Sequence, residues 1–121
     1  MITVLLPFPD PRLNPNRCKG AHWAATGAIR KSVRAAAYLL TKQAANGVTF
    51  PMGQEIALVI VFVQPDRRQR DRDNLLAASK PALDGVADAL GINDSQFQPV
   101  TISREYGAKP GGVRIEIGKA T

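Results

Sequence analysis

The chain has one cysteine, Cys18, and one histidine, His22, in 121 residues. A single thiol excludes an intrachain disulfide and a multi-cysteine zinc site, and it fits a reducing cytoplasm. A lone histidine is a weak basis for a metal centre where oxygen ligands suffice. Aromatic residues are scarce at 6%. Trp23 beside His22 reads as a core anchor at a helix start, with stacking on an unpaired base as the alternative. No apolar run approaches the roughly 20 residues of a membrane helix. The first residues do not combine a basic stretch with a long apolar one, so neither a membrane location nor export is expected. Repeats and low-complexity tracts are absent.

What is present is an ordinary globular balance, 45% apolar and 21% charged, in a length that suits a single domain over residues 1–121. The charge is not ordinary. Sixteen Lys and Arg face ten Asp and Glu, a formal +6, and ten of the sixteen cations are Arg. Such an excess favours anionic partners, nucleic acid first, because the guanidinium fork matches phosphate oxygens. A basic surface kept for solubility explains the same count.

"ITVLLPFP" predicts a first strand stopped by Pro7 and Pro9, and "DPRLNPNRCKG" a loop carrying Arg12, Arg17 and Lys19. From about Ala21 to Ala45, Ile29, Val33, Ala36, Ala37, Leu40 and Ala44 recur at helical spacing, and Asn46-Gly47 supplies a stop. Arg30, Arg34, Tyr38 and Lys42 form a second stripe on that helix, either a solvated face or a contact for DNA. "QEIALVIVFVQP" predicts a central strand covered on both faces. "DNLLAASKPALDGVADALG" is helical, with a kink or break expected near Lys80 because Pro81 removes a backbone donor. "PVTISREY" and "GVRIEI" alternate as strands, and "GAKPGG" between them has the residues of a hairpin connection. The expected fold is α+β, a two-layer domain with a mixed four-stranded sheet and two main helices in the order β-α-β-α-β-β.

The chemistry concentrates in "RRQRDRDNLL", where Arg67, Arg68, Arg70 and Arg72 surround Asp71 and Asp73. On an extended chain, two carboxylates one residue apart point the same way and can share Mg²⁺, which often takes one or two protein carboxylates and fills its shell with water and phosphate. The same spacing suits Asp73 as a helix N-cap and Asp71 as an ion-pair partner of Arg68 or Arg70. A calcium loop is excluded: counting from Asp71, the sixth position is Leu76 rather than Gly and the twelfth is Ala82 rather than Glu. A third acid, Asp94, sits in "GINDSQF" after the predicted helix end at Gly91.

Taken in order, "RRQRDRDNLL", "KPALDGVADALG" and "NDSQF" resemble the central motif of the RusA family of Holliday-junction resolvases. "LPFPDPRLNPN" resembles that family's proline-rich opening, and "KPGGVRIEI" its closing strand. The resemblance implies that Asp71, Asp73 and Asp94 are catalytic carboxylates holding a divalent metal, Mg²⁺ with Mn²⁺ as a substitute. It further implies a homodimer acting on branched DNA. The family's essential lysine directly follows its D-N-L-x. Here Ala77 stands at that place, "AAS" is inserted, and Lys80 is the equivalent, one helical turn or about 4.5 Å further on. An i,i+4 pair of Lys80 with Asp84 is the structural alternative. Asn93 stands where the family often has a further acid.

One straight helix from Asn74 to Leu90 would span about 25 Å and hold Asp94 far from Asp71 and Asp73. Either a break at Pro81 folds the chain back, or Asp94 comes from a second subunit related by two-fold symmetry. The expected activity is paired, metal-dependent phosphodiester hydrolysis at a four-way junction. Arg67, Arg68, Arg70 and Arg72 would clamp flanking phosphates, and Arg12, Arg17, Lys19, Arg30 and Arg34 would hold the arms. The alternatives are a nuclease for other branched nucleic acids and a basic DNA-binding module without chemistry.

Overall fold

The β-branched run after Glu55 forms the strand around which the others assemble. β1 (Ile2–Leu6), β2 (Ile56–Gln64), β3 (Phe97–Tyr106) and β4 (Gly112–Ile117) make one sheet in the order β1-β4-β2-β3. β2 runs parallel to β3 and antiparallel to β4, and β4 runs antiparallel to β1. Three helices, α1 (Gly27–Ala45), α2 (Arg72–Ala78) and α3 (Lys80–Leu90), complete an α+β fold. The computed structural model describes residues 1–14, 24–51 and 53–118, so Arg17, Cys18, Lys19, His22 and Trp23 lie outside the described residues. No helix among the described residues is long and apolar enough to cross a membrane.

β2 occupies the interior of the sheet as its composition predicts. Leu58, Ile60 and Phe62 are at most 2% exposed and pack against Ala37, Leu75, Val86 and Leu90 of the helices. On the opposite face Val61 is buried but Ala57, Val59 and Val63 are only half-buried, so the strand is covered fully on one face and in part on the other. The hairpin expected between the last two strands does not form. β3 and β4 lie on either side of β2, which separates them. Alternation identified both strands but carried no information about partners, and the most apolar strand took both neighbours.

α1 presents Ala37, Thr41 and Ala45 to the interior, while the expected core positions Ala36 and Ala44 are exposed. The face is rotated because α1 packs closely against α3 at a contact made by small residues. A Cβ added to Gly85 would stand 2.3 Å from the Arg34 carbonyl oxygen and 2.9 Å from Ala37 Cβ. Backbone cannot yield as a flexible side chain does, so Gly85→Ala is expected to force the helices apart and destabilise the protein by about 1–3 kcal/mol, despite alanine's higher helix propensity. Thermal unfolding of that variant checks it; an unchanged or raised melting temperature would show that the contact is slack.

The break expected near Lys80 falls at Ser79. Its N–H donates to the carbonyls of Leu75 and Leu76, both at 3.1 Å, and its hydroxyl to Leu75 O at 2.9 Å, which closes α2. α3 begins at once with Pro81 in its first turn, where a missing N–H costs nothing. Gly91, in the left-handed region at φ 67°, ends α3 and turns the chain toward β3.

Candidate active site

The chain leaves β2 at Gln64 and reaches α2 through the arginine-rich segment. Asp71 is extended (φ −71°, ψ 124°), and its Oδ1 accepts hydrogen bonds from the N–H groups of Asp73 at 2.8 Å and Asn74 at 3.3 Å. Asp71 rather than Asp73 is therefore the N-cap, and Asp73 lies within the first helical turn. The two acids do not alternate along a strand as the spacing allowed. Neither arginine expected to pair with Asp71 does so among the described contacts. Arg70 pairs with Asp66 at 2.9 Å, donates to Gln64 Oε1 at 3.1 Å and lies over the Phe8 ring at 5.2 Å, while Arg68 gives Asp66 its backbone N–H. This network holds Asp66 below the usual carboxylate range, chiefly through Arg70. Two contacts fasten the segment to the far end of β3: Arg104 donates to Arg70 O at 3.3 Å, and Arg67 lies 4.3 Å from the Tyr106 ring centroid.

Asp94 sits at the other end of β3, in a one-turn 3-10 helix (Asp94–Gln96) that leads directly into Phe97. Asn93 begins that turn with a reciprocal cap: its side chain accepts from the Ser95 N–H, and the Asn93 N–H donates to Gln96 Oε1. Asn93 thus has a local structural task. The Lys80 ammonium bridges Asp84 Oδ1 at 2.8 Å and Asp94 Oδ2 at 2.7 Å. Asp84 and then Asp94 raise the Lys80 pKa, and Lys80 lowers that of Asp94. The lowered Asp94 value means that its contribution is present above the ordinary carboxylate range and is lost as pH falls through the folded value. The raised lysine value means that its own contribution is lost only as pH rises through it. Since both side chains are about half exposed, at 57% and 51%, solvent screening keeps the effect on stability small.

No family model matches the chain. It is 38% identical over 98 residues to an uncharacterized protein of Xylella fastidiosa (strain Temecula1 / ATCC 700964). The match covers 80% of this chain and 63% of that protein, so the chain spans less than two thirds of its relative's length.

Asp71 and Asp73 are therefore brought together with each other, and Lys80 with Asp94, but the two pairs stay apart. From Phe97 to Arg104 the strand covers roughly 23 Å at 3.3 Å per residue. Among the described residues no three Asp, Glu, His or Cys side chains are grouped to hold a metal ion. Within one chain, then, Asp94 does not join Asp71 and Asp73 in a single group of ligands.

Several of the cations assigned to DNA have carboxylate partners. Arg12 binds Asp10 at 2.7 Å. Arg34 clamps Asp88 through two hydrogen bonds, at 2.6 and 3.0 Å, and lies 4.0 Å from Asp84, so it ties α1 to α3. Arg30 donates to Oγ1 of Thr26, the residue just ahead of α1. Arg68 and Arg72, close to Asp71 in the chain, are exposed. Sequence reasoning gave Asp84 only a pairing role and gave Asp88 and Arg104 none toward the site. The spacing of Lys80, Asp84 and Asp88, four residues apart on one helix, was the available signal for the first two.

Proposed function

We propose that the chain is a subunit of a RusA-type, metal-dependent endodeoxyribonuclease that resolves four-way DNA junctions by paired phosphodiester hydrolysis. The observation that supports this reading most is the contact of Lys80 with Asp94 at 2.7 Å. The resemblance assigned the essential lysine to Lys80 despite the "AAS" insertion, and the insertion is absorbed by the end of α2, with Lys80 left against the third motif acid. Asp71, Asp73 and Asp94 would be the ligands of Mg²⁺, or of Mn²⁺ in its place. Such an ion supplies a water of lowered pKa at the scissile phosphate. Lys80 offsets the negative charge that gathers on the phosphate, and Arg67, Arg68 and Arg72 draw the polyanion onto carboxylates that would otherwise repel it.

A basic DNA-binding module is favoured by one specific observation, that Asp71 has a structural task as a helix cap. The deciding experiment incubates purified protein with a labelled synthetic four-way junction in Mg²⁺, in Mn²⁺ and in EDTA, beside duplex, flap and RNA controls. Symmetric nicks confined to the junction and abolished by EDTA are expected. Lys80→Met is expected to lower the rate by about 10²-fold with little change in junction affinity. Tight binding without cleavage in either metal would select the binding module, and equal cleavage of flaps or RNA would select a broader nuclease.

A further inference from the structure

Gln64 closes β2 on the face that carries the helices, in line with Leu58, Ile60 and Phe62, and like them it is buried. A glutamine in that row is unexpected. Its Nε2 is buried with no hydrogen-bond partner among the described residues, a penalty that an unbranched apolar residue of similar size would avoid. Its Oε1 accepts from Arg70 Nη1 at 3.1 Å.

Arg70 is the hub of the segment between β2 and α2. Its side chain is only 14% exposed. Nη1 also reaches Asp66 Oδ1 at 2.9 Å and Arg68 O at 3.3 Å, Nη2 reaches Asp66 Oδ2 at 3.3 Å, and the guanidinium lies over the Phe8 ring. The chain from Asp66 to Arg70 therefore curls around its own last side chain. Asp66 and Arg68 belong to the curl and move with it, and a ring face fixes no direction in its plane. Gln64 is different, because it ties the guanidinium to the sheet through a directed hydrogen bond. Its own backbone is held in turn, since Gln64 pairs with Tyr106 and Gln64 O accepts from the Gly107 N–H at 2.9 Å. The residue that follows Arg70 is Asp71, whose Oδ1 caps α2.

We propose that Gln64 is a positioning residue: through Arg70 it fixes the curl to the end of β2 and so sets where Asp71 stands at the start of α2. The consequence for cleavage rests on the nuclease reading. The fixing of the segment does not, and it is measured without DNA.

Gln64→Met removes the acceptor at similar volume, and Gln64→Glu keeps an oxygen toward Arg70. Solvent exchange of backbone amides, read by NMR on the protein alone, is expected to quicken about tenfold in Gln64→Met at Arg68, Asp73 and Asn74, whose N–H groups bond to Asp66 and Asp71. Gly107 and Ile60, which report on β2 itself, keep the parental rate, and Gln64→Glu keeps it throughout. The melting temperature of Gln64→Met should be no lower than that of the parent, because the unpartnered Nε2 is gone. On a four-way junction the same variant is expected to lose about 10–10²-fold in kcat with KM within about twofold, the effect of a misplaced reacting group, while Gln64→Glu cleaves as the parent does. Unchanged exchange at Arg68 and Asp73, or exchange quickened equally at Gly107 and Ile60 with a lower melting temperature, would leave Gln64 a packing residue and overturn the proposal. A loosened segment with an unchanged kcat would overturn its link to the chemistry. If the parent itself cleaves nothing, the nuclease reading fails, and the exchange rates still decide whether Gln64 holds the segment.

Discussion

An Asp71→Asn protein is expected to bind a four-way junction at least as tightly as its parent and to cleave it about 10²–10³-fold more slowly, the scale on which one preorganised electrostatic group contributes at a reacting centre. The substitution separates chemistry from folding because of what Asp71 does locally. Its Oδ1 caps α2 by accepting from Asp73 and Asn74. Asparagine ranks beside aspartate as an N-cap and keeps that acceptor, so the melting temperature should not move. It loses the charge that opposes a phosphate, which is why affinity is retained or improved. Asp71→Ala removes both functions and should in addition lose about 1 kcal/mol of stability. Cleavage rate, junction affinity and thermal unfolding measured on the two variants distinguish the roles. An Asp71→Asn protein that cleaves at the parental rate would leave Asp71 a cap and nothing more.

That double role marks the boundary of what the sequence could tell. Features set by local chemistry were legible: the break ahead of Pro81, the stop at Asn46-Gly47, the apolar run of β2 and the turn at Gly91. Each depends on a residue's own backbone preferences or on the periodicity of its neighbours. Features set by distant partners were not. "PVTISREY" and "GVRIEI" showed that they were strands, but strand order depends on competition for β2, and β2 inserted itself between them. Arg34 read as a solvated or DNA-facing cation, and only the approach of α1 to α3, allowed by Gly85, turned it toward Asp88. Asp71 and Asp73 could be recognised as a pair from the motif, yet which of them caps α2 turned on where the helix begins, the least predictable property of a helix. Lys80 is the informative case. Its i,i+4 partner Asp84 was readable from spacing, whereas Asp94 became its second partner because the chain turns back after Gly91.

Mixing the Asp71→Asn chain with an Asp94→Asn chain, each inactive alone, is expected to restore cleavage to about a quarter of the wild-type number of sites. Random reassociation makes half of the dimers mixed. If Asp94 of one subunit completes the site of the other, one site in each mixed dimer receives both substituted residues, and the other receives an intact Asp71 and an intact Asp94. The surviving site should leave a signature as well as a rate. A cruciform plasmid cut by two sites in one dimer is linearised, whereas a dimer with a single working site nicks one strand and releases an open circle. The expected product of the mixture is therefore mainly open circle, with the linear form dominant only in wild type. The outcome depends on the separation of the two half-sites along β3, since Arg104 holds the Asp71 segment at one end and Asp94 enters the strand at the other. If both acids served one chain's site, every site in the mixture would carry a substitution. A mixture as inactive as its components would then place Asp71 and Asp94 in the same chain's site, with no contribution from a second subunit.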